Sequence, residues 1–170
     1  RSDLGIRHAQ LTPTGWQYGL VKRTGNSIPQ AQRDLGYRLS LAVDPAGEPM
    51  VAFQDDFEGS VTDGGGNRVT VATRSGGLGG GWTLETVGPY NPTGVNQISL
   101  DVNPIAGQPI KAAMVELGQA YPTYLAKTAA GWQTLGYDAG YQQFLHTPAA
   151  RFTSSGAGCF YGLAGLGSLA

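Results

Sequence analysis

Hydrophobic and polar positions alternate most clearly between residues 69 and 87. The stretches VTVATR at 69–74 and WTLETV at 82–87 both have a period close to two, which is typical of a strand with one buried face. A glycine-rich run at 76–81 separates them, and glycine adopts the positive φ angles of tight turns without steric cost. The pattern predicts a β-hairpin.

The same pattern occurs twice more, each time with a Gly-Trp pair at the start of the second strand. The pair stands at three places, which are residues 15–16, 81–82 and 131–132. The flanking stretches predict two further hairpins, which join 6–9 to 16–21 and 122–127 to 132–137. The unequal spacing of the pairs indicates insertions between repeated sheets rather than a rigid solenoid.

A second repeated pattern places proline and glycine between two alternating stretches. DPAGEP at 44–49 separates 39–43 from 50–53, and NPIAGQP at 103–109 separates 98–102 from 110–115. Proline fixes φ near the start of the turn, and glycine allows a positive φ later in the turn, so both stretches predict hairpins. A third, degraded copy is predicted at 142–152, with its turn near His146 and Thr147-Pro148.

The two patterns alternate along the chain. Each pair of hairpins predicts a four-stranded antiparallel sheet of about 50 residues, which is the size of one β-propeller blade. We therefore predict an all-β fold of β-propeller-type repeats, in which this chain supplies strands for about three blades. Blade-like units are predicted near 36–87 and 96–137, and half-blades at 6–21 and 142–152. Residues 1–153 form the repeats, and 154–170 form a tail rich in glycine and leucine.

The composition agrees with many short strands joined by turns. The 27 glycines among 170 residues are more than twice the usual share of ~7%. A formal charge of −1 and a charged fraction of 14% indicate no electrostatic surface for nucleic acid or an anionic membrane. One cysteine, Cys159, excludes an intrachain disulfide framework and a cysteine-rich metal site.

The cellular location is predicted from composition alone. The first ten residues lack the apolar core of a signal peptide, and no segment approaches the ~18 apolar residues that span a bilayer. Low lysine and glutamate content together with abundant glycine, threonine, glutamine and tyrosine is typical of secreted or surface β proteins. We expect an extracellular or cell-surface protein.

The phrases SLAVDPAGEPMVAF at 40–53, VTVATRSGG at 69–77 and GWTLETV at 81–87 resemble the repeats of bacterial propellers in the sialidase-like superfamily. The resemblance covers most of residues 6–152 and implies a propeller architecture. The Asp-box of that superfamily is not present in intact form, and TDGGGNRV at 62–69 matches it only loosely. Its arginine cluster and its tyrosine and carboxylate pair have no matching residues here, so the resemblance implies no active site.

The aromatic residues have two interpretations. Trp16, Trp82 and Trp132 could stack on sugar rings, but their identical place at a strand start favours packing between blades. Four tyrosines cluster late in the chain and could form a partly wet binding surface, although half-buried strand positions are the favoured interpretation. They are Tyr121, Tyr124, Tyr137 and Tyr141.

One stretch is rich in oxygen ligands of the kind that calcium prefers. Its members are Asp55, Asp56, Glu58, Asp63 and Asn67. Their spacing is not that of an EF-hand, and a solvated acidic loop is the favoured interpretation. His8 and His146 lie on separate predicted strands without a nearby His or Cys, so neither is predicted to bind zinc or act as a base. We predict no catalytic, cofactor or metal residues.

Repeated architecture without convergent catalytic groups predicts a non-catalytic binding or scaffolding module. The first alternative is a glycan-binding lectin of propeller type. The second is a sialidase-like glycoside hydrolase with carboxylates among Asp44, Asp101 and Glu116. The expected partners are another protein or a second copy, with a glycan as the alternative and no nucleic acid.

Two further expectations concern the ends of the repeats. Five glycines in the tail oppose a helix at ~1 kcal/mol each relative to alanine, so we expect an extended segment. Three blades are too few to close a ring, because propellers typically use four to eight. Incomplete terminal sheets also leave strand edges unpaired. The chain is therefore expected to work within an oligomer or a larger assembly.

Overall fold

The structure is a computed structural model, and it describes residues 5–23, 38–55, 68–88, 95–118, 122–137, 149–162 and 165–169. In these ranges the chain forms β-strands, one 3-10 turn at Gly77–Gly79 and no α-helix. The predicted all-β class is confirmed. In chain order the strands are β1 (Gly5–Thr12), β2 (Gly15–Arg23), β3 (Leu39–Val43), β4 (Pro49–Asp55), β5 (Arg68–Arg74), β6 (Trp82–Val87), β7 (Val95–Val102), β8 (Ala112–Gly118), β9 (Pro122–Thr128), β10 (Gly131–Tyr137), β11 (Ala149–Phe152), β12 (Gly158–Gly162) and β13 (Gly165–Leu169).

The strands form four antiparallel sheets in which each strand pairs with its neighbours along the chain. The first sheet contains β1 and β2, the second β3 to β6, the third β7 to β10, and the fourth β11 to β13. The five hairpins predicted between residues 6 and 137 are confirmed by their registers, such as Arg74 opposite Trp82 and Lys127 opposite Trp132. Four-stranded antiparallel sheets are confirmed for the second and third sheets, and their assembly as propeller blades stays a prediction.

The fourth sheet includes the tail. Residues 142–148 of the predicted third copy lie outside the described residues, and Ala149–Phe152 forms β11. β11 pairs with β12 and β12 pairs with β13, so the prediction of an extended tail is confirmed for 158–162 and 165–169. The tail thus adds two strands to the sheet that contains Phe152. The boundary at residue 153 and the limits of the blades stay predictions.

Three turns between first and second strands share one chemistry. Asp44 N–H donates to Glu48 O, and the Asp44 carboxylate accepts the N–H groups of Ala46 and Glu48. Thr153 occupies the same place before β12, where its hydroxyl accepts Ala157 N–H. The turn that precedes β8 begins with Asn103, whose side-chain oxygen accepts Ile105 N–H. Each turn has one glycine in the left-handed region, at Gly47, Gly107 and Gly156 with φ of 83°, 81° and 82°.

Apolar side chains bury the facing surfaces of successive sheets. The largest cluster lies between the second and third sheets and includes Met50, Val71, Leu100, Met114 and Leu125. A second cluster joins Ile6 and Val21 of the first sheet to Val51, Phe53 and Ala72 of the second. A third joins Ala113 and Val115 to Ala150 and Phe160 of the fourth sheet. The second and third sheets therefore contact a neighbouring sheet on each face.

Serine hydroxyls connect the first strands of successive sheets. Leu100 N–H on β7 donates to Ser40 Oγ on β3 at 3.0 Å, and Ala150 N–H on β11 donates to Ser99 Oγ on β7 at 3.1 Å. Ser40 and Ser99 hold the same position in SLAVD and SLDVN. Each link pairs a backbone N–H at the edge of one sheet with a side chain of the preceding sheet, and so fixes the register of the two sheets.

Candidate functional site

One face of β3 carries an exposed apolar row, which we call the open row: Leu39, Leu41 and Val43, exposed by 50%, 58% and 57%. The matching positions on β7 are buried, because Ile98, Leu100 and Val102 are exposed by only 8%, 2% and 8%. The two triads have the same place relative to the turn that follows them. The open row and the β7 triad therefore differ in whether another sheet packs over them.

The second sheet covers the β7 triad. Ser40 and Ala42 alternate with the open row along β3 and face the third sheet. Ser40 Oγ accepts a hydrogen bond from Leu100 N–H, and Ala42 belongs to the apolar cluster between the second and third sheets. The open row consequently points back toward the first sheet. Only two strands of that sheet are described, β1 and β2.

β1 and β2 correspond to the third and fourth strands of a complete sheet. Thr12 Oγ1 donates to Gly15 O across the turn, and Thr128 Oγ1 donates to Gly131 O in the turn between β9 and β10. Each turn is followed by the Gly-Trp tryptophan, at Trp16 or Trp132. First and second strands that would precede β1 do not occur among the described residues. Such strands would lie over the open row.

The first hairpin has an open face of its own. Leu11 pairs with Trp16 in register, and Tyr18 lies two residues further along β2 on the same face. All three are exposed, Trp16 by 59% and Tyr18 by 75%. Trp82 and Trp132 instead pack against the clusters between sheets. Packing between neighbouring sheets is therefore confirmed for Trp82 and Trp132, whereas the prediction is wrong for Trp16, because no described sheet covers the face of β2 on which Trp16 lies.

A buried guanidinium holds the first hairpin on the second sheet. Arg74 is 2% exposed; its Nε donates to Glu48 Oε2 at 3.1 Å, and its Nη2 donates to Gln10 Oε1 at 2.8 Å. Its Nη1 lies 3.0 Å from His8 Nε2, and its guanidinium carbon lies 5.9 Å from the centre of the Trp82 ring. We call these five side chains the Arg74 network. It joins β1, the turn before β4, and the end of β5.

The network shifts the pKa values of both of its titratable partners. Burial, and then the charge of Arg74, lowers the pKa of His8 below its ordinary value. A hydrogen bond from Gly77 N–H, and then one from Arg74, lowers the pKa of Glu48. Neutral His8 accepts the Arg74 N–H through Nε2. The His8 ring lies against Gly19, where a Cβ would overlap the ring, so only glycine fits there.

These pKa shifts predict that the folded state becomes less stable as the pH is lowered. The folded state disfavours protonation of His8, so its contribution is fully present above pH 6.5 and is lost as the pH falls through the lowered folded pKa. Glu48 adds a loss in the same direction below pH 4.5. Urea midpoints measured from pH 8 to pH 5 should decrease for the natural chain and flatten for His8→Gln. His146→Gln is the control and should keep the decrease; equal flattening in both variants would contradict the assignment.

The third sheet has a smaller equivalent of the network. Lys127 forms an ion pair with Glu85, and its ammonium lies 5.8 Å from the centre of the Trp132 ring. Lys127 faces Trp132 across its hairpin as Arg74 faces Trp82. A cation over the tryptophan is thus a repeated feature of both complete sheets.

Two of the three carboxylates considered for hydrolysis, Asp44 and Asp101, have structural partners. Asp44 accepts two backbone N–H groups in its turn. Asp101 accepts Val102 N–H through Oδ1 and Phe152 N–H through Oδ2, which ties β7 to β11. Glu116 lies on β8. Backbone hydrogen bonds of this kind stabilise turns and sheet contacts.

The remaining candidates are distributed along the chain. Tyr124 is half-buried and packs on Phe160 with ring centres 4.8 Å apart, Tyr137 lies on β10, and Cys159 is a half-buried free thiol on β12. Asp55 ends β4. Within the described ranges, no three or more His, Cys, Asp or Glu side chains form a metal-binding group. The candidates outside those ranges are Asp56, Glu58, Asp63, Asn67, Tyr121, Tyr141 and His146.

Sequence reasoning missed the open row, the Arg74 network and the serine links. The serine links had a visible signal, since serine precedes leucine in both SLAVD and SLDVN. The open row had none, because its residue pattern matches that of the buried β7 triad. Arg74 is the last residue of an alternating strand, and its position in the sequence pattern is the same as that of an exposed polar residue.

The fold and the open faces define an all-β protein of stacked antiparallel sheets with uncovered apolar surface. No family model matches the chain, and a comparison with curated proteins finds no match. Among the described residues, no helix has the length and apolar character needed to cross a membrane.

Proposed function

We propose that this chain is a non-catalytic β-propeller-type module that binds or scaffolds other protein segments within an oligomer or a larger assembly outside the cell. The observation that carries the proposal is the open row, which is exposed on β3 while its counterpart on β7 is buried. Stacked sheets of one repeat type bury such rows against the next sheet. An exposed row is therefore a contact surface for a further unit.

The face of the first hairpin supports the same proposal. Leu11, Trp16 and Tyr18 form an apolar and aromatic patch, whereas the tryptophans that match Trp16 in the second and third sheets pack against clusters between sheets. Aromatic side chains of this size contribute strongly to protein interfaces. The open row faces the position of first and second strands in the first sheet, and the patch of the first hairpin lies on the other face of that sheet, away from the second sheet.

The polar groups favour binding over catalysis. Asp44 and Asp101 are engaged by backbone N–H groups, and Arg74 is enclosed by its network. Groups that are held in this way stabilise the sheets and do not converge on one cleft.

Sedimentation of the purified chain tests the proposal. At micromolar concentration we expect a mass above 17.7 kDa, because the exposed aromatic patch drives association. The double variant Trp16→Ser, Tyr18→Ser should shift the mass toward the monomer. Leu84→Ser, an exposed position on β6, is the control and should leave the mass unchanged. A stable, monodisperse monomer of the natural chain would refute the proposal.

A glycan-binding lectin is the second candidate, and one observation favours it. Trp16 and Tyr18 are exposed on the same face of β2, where aromatic rings could stack on a sugar. A glycan array distinguishes the two candidates. Binding that disappears in Trp16→Ala would favour the lectin, whereas an array without signal favours the protein-binding module.

A further inference from the structure

We infer that the open row, together with the outer edge of β1, binds a two-stranded β-hairpin of the repeat type that this chain forms with β7 and β8. The inference deepens the proposed function and rests on it. The partner hairpin would act as the first and second strands of the sheet to which β1 and β2 belong.

The edge of β1 supplies the first element of recognition. β5 and β9 are the third strands of their sheets, and each pairs on both sides, with β4 and β6 or with β8 and β10. Among the described strands, β1 pairs only with β2. An unpaired edge presents backbone N–H and C=O groups that hydrogen-bond an added strand.

The open row supplies the second element. In the equivalent contact inside the chain, the face that covers Leu100 is built from small and medium side chains, including Ala42, Met50 and Ala52. β7 and β8 present small side chains of the same kind to the fourth sheet, at Ala113 and Val115. A hairpin of this type would therefore bring to the open row side chains of the size that cover Leu100, and its Asp101 would lie where it could accept Val43 N–H, as it accepts Phe152 N–H inside the chain.

A hydroxyl supplies the third element. Arg38 O accepts Gln54 N–H and Asp44 N–H donates to Glu48 O, so the even-numbered residues of β3 direct their backbone groups toward β4. Leu41 N–H then points away from β4, as Leu100 N–H points to Ser40 Oγ. No described residue gives Leu41 the equivalent serine. The partner strand should carry one.

A second copy of the chain does not supply this hairpin from its fourth sheet. Ala149 stands where Ser40 and Ser99 stand, so β11 has no hydroxyl for Leu41 N–H. β13 also occupies the side of β12 where β1 would have to pair. The hairpin of β7 and β8 carries Ser99 and is therefore the appropriate probe.

The test extends the chain at its amino end. A copy of residues 95–121 replaces residues 1–4, so that the added hairpin leads into β1 as β8 leads into β9. We expect the melting temperature to rise by about 5 °C or more, and exchange of the Leu41 amide hydrogen to slow at least about tenfold. The copy with Ser99→Ala should lose most of the protection at Leu41.

A host substitution makes the test specific. Leu41→Glu should leave the melting temperature of the unextended chain nearly unchanged, because Leu41 is exposed, and should abolish the gain from the added hairpin. No gain, or a gain that survives Leu41→Glu, would overturn the inference. A dimer of the unextended chain with a protected Leu41 amide would also overturn it, because a second copy would then occupy the site. If the extension fails while association through Trp16 and Tyr18 persists, only this inference falls.

Discussion

Replacing Phe53 with alanine is expected to lower the free energy of unfolding by about 4 kcal/mol. Phe53 is fully buried, and its ring fills the cluster that joins the first hairpin to the second sheet. Removing it leaves a cavity beside Ile6 and Val21 and weakens the contact that holds the hairpin. Urea denaturation followed by circular dichroism measures the loss.

Leu39→Ala is the matched control for Phe53→Ala. Leu39 lies directly opposite Phe53 in the register of β3 and β4, on the same face of the sheet, but it is half exposed. Its truncation should cost about 1 kcal/mol or less. Equal losses in the two variants would show that the first hairpin does not cover Phe53 in solution.

Arg74→Met is expected to cost about 2 to 3 kcal/mol, because it removes charge-assisted hydrogen bonds from a buried group. Methionine retains much of the side-chain volume, so the loss reports on the hydrogen bonds to Gln10, His8 and Glu48 rather than on a cavity. Amide exchange should quicken in β1 more than in β4. The expected site of loosening is the joint between the first hairpin and the second sheet.

Lys127→Met provides the comparison for Arg74→Met. Lys127 holds the equivalent place opposite Trp132, but it is partly exposed and pairs with a more exposed Glu85. Ion pairs of this kind contribute up to about 1 kcal/mol. If Lys127→Met were as destabilising as Arg74→Met, burial of the guanidinium would not be the cause.

Much of the fold could be predicted from periodicity and turn chemistry. Strands 69–74 and 82–87 alternate with a period of two, and Asp44-Pro45 with Gly47 forms the predicted turn. The turn before β12 escaped prediction. Thr153 replaces the usual Asp or Asn there and no proline follows, while Thr147-Pro148 offered a closer match in residue type.

The open row could not be predicted, because burial depends on what lies beyond the strand. Leu41 and Leu100 follow a serine in the same phrase, yet one is exposed and the other buried. Arg74 shows the same limit for polar residues. Its partners His8 and Gln10 are more than 60 positions away in the chain, and local patterns carry no information about such distant contacts.

Every described strand pairs only with strands that are next to it along the chain, and this affects how the protein folds during synthesis on the ribosome. Contacts between neighbouring segments close short loops, and such segments can organise before distant ones arrive. The second sheet can form once Val87 has emerged. The first hairpin is synthesised earlier, but it can pack on Phe53 and Arg74 only after the second sheet has formed. The nascent chain thus folds one sheet at a time. The first hairpin becomes stably packed only after the second sheet has formed.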